Sequence, residues 1–582
     1  MLHFIGEPSA TSSARDAAQR GVVRRTDTAL LRILAVAAGI CWSVLFVALG
    51  LHYELQMYAD GSIFSYSVAV KDAWAFHWHS IIGRVFVYLF AYAPAGLYLE
   101  ITRNARGAVD VYGFLFFVAP LLGLVATFAA DHSKGRIIFG YACLSTACLC
   151  PLVFGFPTEI WIAHSLFWPA LAVCHYTRSG IRGTALVFAV LLALVFTHEG
   201  ALIFVFAILA SLLLRGGLSH MALRNVGKAD VDIPPPLGEV GERSEPGGGA
   251  YPDHRTSRSS HQPPPDRCRF APAVDLPQRG RSGVRFASAV SRPIALLLRA
   301  ARDATFARAA GALVPIILLW IIARAALPPD DYVGDALRRA AWHVFDPYIL
   351  TGDLVLLLFG ALASYAIAFL LLRRLAPTEA PIYAGAIVVV MLVAYWMWFD
   401  QALHAGNRYY LRTVVLIATP MLGVLAAVHA LDAEGRLRMP LPSRLMELFT
   451  SDGAARCAAG AVVLVVLVHA VETAKFIRTW TDYKGAVVSL AMSATSDPAL
   501  GDPRFVSSER INPALNRLAW SSTTHFLSVL VAPGLAPRRL VVDPNANYFW
   551  LSCETATANW DADRAVPLGS RELVRVYACI HR

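Results

Sequence analysis

Stretches of about twenty consecutive apolar residues recur along this chain, and they constrain its fold more than any motif does. A bilayer core of about 30 Å is crossed by roughly 20 residues of α-helix. Inside lipid every backbone N–H and C=O must be bonded within the protein, so such runs point to spanning helices. They fall at Leu30–Leu51, Ile81–Ile101, Val111–Ala130, Ile137–Phe154, Ile160–Val173, Gly183–Leu214, Phe306–Leu327, Leu350–Leu372, Pro381–Phe399, Leu411–Leu431 and Ala458–Ala474. At roughly 1.5 Å per residue the Gly183–Leu214 run exceeds a bilayer. It is either one tilted helix or two short helices hinged at Thr197-His198-Glu199-Gly200. The expected fold is therefore an all-α polytopic membrane protein with about 11–12 transmembrane helices.

Composition agrees. The chain of 582 residues is 56% hydrophobic and 16% charged, where soluble domains carry about 25% charged residues. Its net charge of +10 raises the question of nucleic acid. The Arg residues flank apolar spans, as topology signals do, and no basic stripe carries a reader motif, so no nucleic-acid partner is expected. The segment before Leu30 is polar and Arg-bearing, and the run after it is too long for a signal peptide, so Leu30–Leu51 reads as an anchor. Cys143, Cys148 and Cys150 have no His or carboxylate at zinc spacing. Cys553 and Cys579 are either a disulfide or two free thiols.

Lys/Arg bias sets the expected sidedness. Arg15, Arg20, Arg24 and Arg25 place the N-terminus inside, with the loop Tyr53–Ser80 outside and Arg103 and Arg106 back inside. Arg373, Arg374, Arg436, Arg438 and Arg444 mark inner loops, so Pro328–Ile349, Asp400–Tyr409 and the segment from Phe476 are outer. The middle stays open. Two short helices in Gly183–Leu214 put His198 and Glu199 outside with Arg178 and Arg182 inside, but the three runs after Arg106 then do not fit unless one is re-entrant. A single long helix restores the parity and puts Arg178 outside.

These signals divide the chain into a cytoplasmic tail over residues 1–29, a first membrane region over 30–217 with an outer loop at 52–80, a linker over 218–290, a second membrane region over 291–475 and an extracytoplasmic segment over 476–582. Pro234-Pro235-Pro236, Pro246-Gly247-Gly248-Gly249 and Pro263-Pro264-Pro265 forbid regular structure over most of the linker. The last segment reads as a small α+β unit packed on the membrane part. Short strands are expected at Leu527–Val531, Leu540–Asp543, Tyr548–Trp550 and Leu573–Tyr577 from their β-branched and aromatic content.

Three stretches could carry chemistry. The first outer loop holds Glu54, Asp60 and Asp72 among Tyr53, Tyr58, Trp74, Phe76 and Trp78. Aromatics of this kind sit at headgroup depth, where a carboxylate is partly desolvated and becomes a better proton acceptor. Asp60 is either a general base or, with Gly61, a turn and N-cap pair. His198 and Glu199 interrupt an apolar run, where ionisable residues are rare; a polar inter-helix turn is the alternative. Arg408 and Tyr409 open another apolar run, and the planar fork of Arg408 suits either a phosphate or snorkelling to headgroups.

Taken together, the aromatic, acidic first outer loop, about a dozen short helices and an outer C-terminal segment resemble the GT-C superfamily of polytopic glycosyltransferases. The resemblance covers the architecture and three short stretches. It implies a polyprenyl-phosphate-linked sugar as donor, a lipid, glycan or protein acceptor, and a site at the outer face. Asp60 corresponds to the loop carboxylate that activates the acceptor hydroxyl, and Arg408-Tyr409 resembles the Arg-Tyr pair before a late helix. Glu54, Asp72, Arg84, His198 and Glu199 join as candidate binding residues, Arg84 and His198 as further cations for the leaving phosphate. The commonest family pattern has an adjacent acidic pair in this loop, which this chain lacks, so a divalent metal stays an open possibility and no other cofactor is expected. Pro235–Gly249 resembles the in-frame translation of a palindromic repeat found in some bacterial genomes, which implies a bacterial source and an inner-membrane location. Two rival readings remain: a transporter or flippase, which predicts internal repeats and mid-bilayer charges, and a polymerase or ligase for lipid-linked glycans.

Overall fold

The computed structural model describes residues 10–71, 84–149, 159–229, 303–326, 408–435, 452–494, 497, 504–516, 518 and 523–543. Asp72 and the aromatics Trp74–Trp78, the runs Leu350–Leu372 and Pro381–Phe399, the outer loop Pro328–Ile349, Cys553 and Cys579, and the strands expected at 548–550 and 573–577 lie outside the described residues.

The helices are α1 (Ala10–His52), α2 (Asp60–Ala69), α3 (Val85–Thr102), α4 (Ala105–Ala130), α5 (Ile137–Leu149), α6 (Glu159–Tyr176), α7 (Ile181–Val195), α8 (Ala201–Ala229), α9 (Ala304–Ala326), α10 (Arg408–Ala433) and α11 (Asp452–Met492). Among the described residues, five stretches are long and apolar enough to cross a membrane: Leu30–His52, Val85–Thr102, Ala105–Ala130, Ala304–Ala323 and Ala458–Met492. Large apolar side chains face outward along them, among them Ile33, Leu122, Val125, Ile322 and Leu467. Water would oppose such a surface and hydrocarbon does not. This is the build of a helical membrane protein.

Small residues set how closely the helices approach. A methyl group at Gly39 of α1 would meet the Cys143 carbonyl oxygen of α5 at 2.6 Å, and one at Gly123 of α4 would meet the Ser165 carbonyl oxygen of α6 at 2.5 Å. Close backbone contact of this kind drives association where no hydrophobic effect operates between helices. Cross-helix contacts also fix direction. The pairs Phe167–Phe204 and His175–Ser211 run α6 and α8 parallel, and Trp42–His469 with Tyr53–Trp480 do the same for α1 and α11. In the same way Tyr112–Glu159 and Gly123–Ser165 make α4 and α6 parallel, and Gly423–Phe167 and Glu434–Tyr176 add α10 to them. The starts of α4, α6, α8 and α10 and the end of α1 thus share one end of the bundle.

That arrangement corrects the expected sidedness of Arg106. Arg106 bonds Glu54, which follows α1, and also the Leu530 carbonyl in the C-terminal segment at 3.0 Å. It stands beside the first connection and the C-terminal segment, not opposite them. Arg84 before α3 bonds Glu159 and Glu199, and the residues after α3 lead into α4 beside Glu54, so both ends of α3 lie at this end of the bundle. The physical reason is that α1 and α4 are already antiparallel neighbours, with Gly50 against Phe117 and Phe46 edge-on to Phe117 at 5.2 Å. With Arg106 moved, three helices separate it from Arg178 at the other end. The Gly183–Leu214 run is two helices, α7 and α8, joined through Phe196–Gly200.

Other boundaries shift. Helix α1 begins at Ala10, inside the expected tail, and α8 runs to Ala229, past the expected linker start. Neither added stretch contains proline. Helix α11 passes Ala474 and Phe476 and ends at Met492, well beyond the about 20 residues a bilayer requires. Its last turns carry the C-terminal segment. There, strand β1 (Phe505–Ser507) pairs in parallel with β2 (Leu540–Val542), Phe505 opposite Leu540. The strand expected at Leu527–Val531 is instead helical: α12 (Thr524–Val531) buries every residue from Thr524 to Leu530. A helix is favoured because the segment is enclosed on several sides, which β-branched content does not anticipate. Burial pushes the His525 imidazole down to about 3.

Cysteine-accessibility labelling in a cysteine-free background tests the return of α3. Arg103→Cys and Ser493→Cys are expected to react from one side of the membrane and Ser179→Cys from the other. Reaction of Arg103→Cys together with Ser179→Cys would contradict the arrangement.

Candidate functional site

The described part of the connection between α1 and α4 is a folded layer. Helix α2 is buried from Gly61 to Val68. Above it lies α12: Tyr66 meets Phe526 with ring centroids 5.2 Å apart, and the Ser62 hydroxyl donates to the Thr523 carbonyl at 3.2 Å. Below it, the Tyr92 hydroxyl of α3 donates to the Ser67 carbonyl at 3.1 Å.

Asp60 is the first residue of α2 and half-buried. The helix dipole favours a carboxylate there. The residue before it, Ala59, has φ 51° and ψ −131°, outside the regions open to a residue with a Cβ. Glu54 and Lys71 also take positive φ, both at 58°. Backbone held this way costs about 1–3 kcal/mol per residue and collects at functional sites.

Two ionic groups flank Asp60. In the first, Arg84 donates to Glu159 at 2.9 Å through Nη1, and to Glu199 at 3.2 Å through both Nε and Nη2. Glu159 opens α6 and Glu199 precedes α8, so the arginine before α3 ties together the starts of two parallel helices. Burial works against the Arg84 charge, and the two carboxylates more than offset it, raising its affinity for the proton. Both Asp60 and Glu159 lie close enough to Tyr112 of α4 to act on it electrostatically. Tyr112 is fully buried, and its hydroxyl has no hydrogen-bond partner among the described residues. Asp60, Tyr112, Glu159, Arg84 and Glu199 are therefore neighbours in one acidic electrostatic basin.

The second group centres on Glu54. It pairs with Arg106 and accepts from Lys484 of α11 at 2.8 Å. Lys484 and Trp480 both donate to the Tyr53 carbonyl, at 3.0 and 2.9 Å. Burial opposes the Glu54 charge, but Lys484 and then Arg106 overcome it and hold the carboxyl below its ordinary range.

Of the residues singled out in the sequence, Asp60, Arg84 and Glu199 come together. His198 takes a structural part in the α7–α8 turn, its Nδ1 accepting from the Gly200 amide at 2.9 Å. Glu54 belongs to the neighbouring tie. Arg408 and Tyr409 open α10 at the same end, and their side chains, like Asp72, lie outside the described residues. Glu159 and Tyr112 escaped the sequence reading; an acid directly before the apolar run at Ile160 was the available signal for the first. Among the described residues no three His, Cys, Asp or Glu side chains gather as a metal site. Comparison with known proteins is silent: no family model, no curated protein and no solved structure matches the chain.

Two outcomes follow. Arg84→Ala leaves two carboxylates mostly buried without their cation and is expected to cost about 3 kcal/mol in unfolding experiments, while Glu199→Gln costs less because Glu159 still pairs. For Glu54, the folded-state value is depressed, so its contribution is full above pH 4.5 and is lost as pH falls through the folded value. Melting curves of wild type and Glu54→Gln should differ at pH 7, by about 1 kcal/mol given the partial exposure of Arg106, and converge at strongly acid pH.

Proposed function

We propose that this protein is a GT-C-type membrane glycosyltransferase that moves a sugar from a polyprenyl-phosphate donor to a lipid, glycan or protein acceptor. The observation that carries this reading is Asp60: a carboxylate at the start of a buried helix, in the first inter-helix connection, within the acidic basin and on the helix that α12 covers. An acceptor hydroxyl entering that basin would give its proton to Asp60 as its oxygen attacks the anomeric carbon. The bond between that carbon and the phosphate oxygen breaks, and the lipid phosphate leaves with the electron pair, inverting the sugar.

The leaving phosphate needs a cation. Arg84 is already claimed by Glu159 and Glu199, so its role is to position the basin, and Arg408 at the opening of α10 takes the phosphate. An apolar cavity of about 490 Å³ between α1 and α11, lined by Trp42, Leu45, Leu49, Ile477 and Arg478 among others, offers room for part of a lipid chain. The basin end is the periplasmic face of a bacterial inner membrane in this proposal. A transporter is less favoured because the sequence shows no internal repeat. A polymerase or ligase would use the same donor chemistry.

Mass-spectrometric profiling of envelope glycans and glycolipids tests the proposal, in a deletion strain complemented with wild type or Asp60→Asn. A species one sugar short is expected in the deletion, restored by wild type and not by Asp60→Asn, which loses at least about a hundredfold in rate as a missing general base does. An unchanged profile in the deletion under several growth conditions would turn the assignment toward transport or structure.

A further inference from the structure

The opposite end of the bundle holds a cavity of about 680 Å³, lined by the end of α6, the α6–α7 turn, the start of α9, Arg215 of α8, Glu434 after α10, and His132 and Lys134 of the α4–α5 turn. Its volume suits a small-molecule ligand. Four lining side chains, Lys134, Arg178, Arg215 and Arg308, are permanent cations, against one lining carboxylate, Glu434.

Cations at helix ends are common in membrane proteins as topology signals, so convergence alone decides little. What distinguishes this cavity is how its charges are engaged. The carbonyls that end α6 are capped by arginines from two other helices: Arg215 donates to His175, and Arg308 donates to Thr177 and Arg178 at 2.9 Å each. These bonds satisfy dipoles and neutralise no charge. They also hold the two guanidiniums in place. Arg308 Nε is buried with no hydrogen-bond partner among the described residues.

The nearby carboxylates are occupied. Asp303 caps α9 by accepting from the Thr305 and Phe306 amides at 2.9 and 3.3 Å, and Asp131 accepts from the Ser133 and Phe139 amides at 2.8 Å each. Glu434 accepts from the Tyr176 hydroxyl at 2.7 Å. Lys134, Arg178 and Arg308 make no ion pair among the described residues.

We infer that this cavity binds a phosphorylated ligand, with Lys134, Arg178 and Arg308 as its cations. Guanidinium forks match phosphate oxygens, and a charge-assisted bond would satisfy Arg308 Nε. The ligand's phosphate comes from a lipid headgroup of the adjacent leaflet or from a free phosphorylated compound; both present the same chemistry to the cavity. The inference is independent of the reaction proposed for the Asp60 basin.

Purified full-length protein in phosphatidylcholine nanodiscs tests it by calorimetric titration with inorganic pyrophosphate, and native mass spectrometry in neutral detergent tests retention of phosphatidylglycerol. Lys134→Gln with Arg178→Gln is expected to weaken binding of the preferred probe at least tenfold with an unchanged melting temperature, since both side chains are exposed. Arg103→Gln with Arg182→Gln removes the same charge outside the cavity and should leave binding intact. Pyrophosphate binding without lipid retention identifies a free ligand, and lipid retention that pyrophosphate does not displace identifies a headgroup. Equal weakening by both double variants, or no binding of either probe to wild type, overturns the inference.

Discussion

Glu54 is the point through which three separate parts of the chain are tied. It follows α1, it pairs with Arg106 one residue into α4, and it accepts from Lys484 far along α11. Arg106 then reaches the Leu530 carbonyl, so the C-terminal segment joins the same knot. A partly buried carboxylate shared by two cations makes a firmer tie than an exposed pair, because less of its Coulomb energy is lost to solvent. Once α1, α4 and α11 are joined at this level, the intervening residues have to leave and return at one end. Helices α2 and α3 become a layer laid against the bundle, and Asp60 sits within it.

Arg84 does for the deeper part of this layer what Glu54 does for its rim. One guanidinium spans Glu159 and Glu199 and so sets the spacing of α6 and α8 beneath Asp60. The price is that Arg84 loses its freedom as an anion ligand, since its positive charge is more than matched. The two ends of the bundle are therefore electrostatically unlike. Carboxylates dominate the basin, whereas the far end gathers cations whose bonds go to helix-end carbonyls.

Much of the architecture was legible in the chain. The apolar runs at Leu30, Val111, Ile137, Ile160, Phe306, Leu411 and Ala458 all correspond to helices, because an amide group in hydrocarbon can be satisfied only within its own segment. The break at Thr197–Gly200 was legible as one of two possibilities. Of the site, Asp60 was marked by its place in the aromatic first loop, Glu199 by interrupting an apolar run, and Arg84 only through the family resemblance. Glu159 and Tyr112 were not, since a carboxylate at a helix start and a tyrosine in an apolar helix are ordinary features until their neighbours are known.

Sequence by itself determined that the chain is helical, apolar on its outward faces and interrupted by a Pro- and Gly-rich linker, for these depend on local composition and on the hydrogen-bonding needs of the backbone. Tertiary structure alone decided which helix ends lie together among the described residues. Hydropathy gives α3 the same rank as its neighbours, and Arg106 looks like an inner-face signal, because hydropathy and charge counts are sums along the chain. The pairing of Arg106 with Glu54 is a contact across it. Direction, recess and the meeting of Asp60 with Tyr112 and Glu159 all come from such contacts between distant residues, which no local window contains.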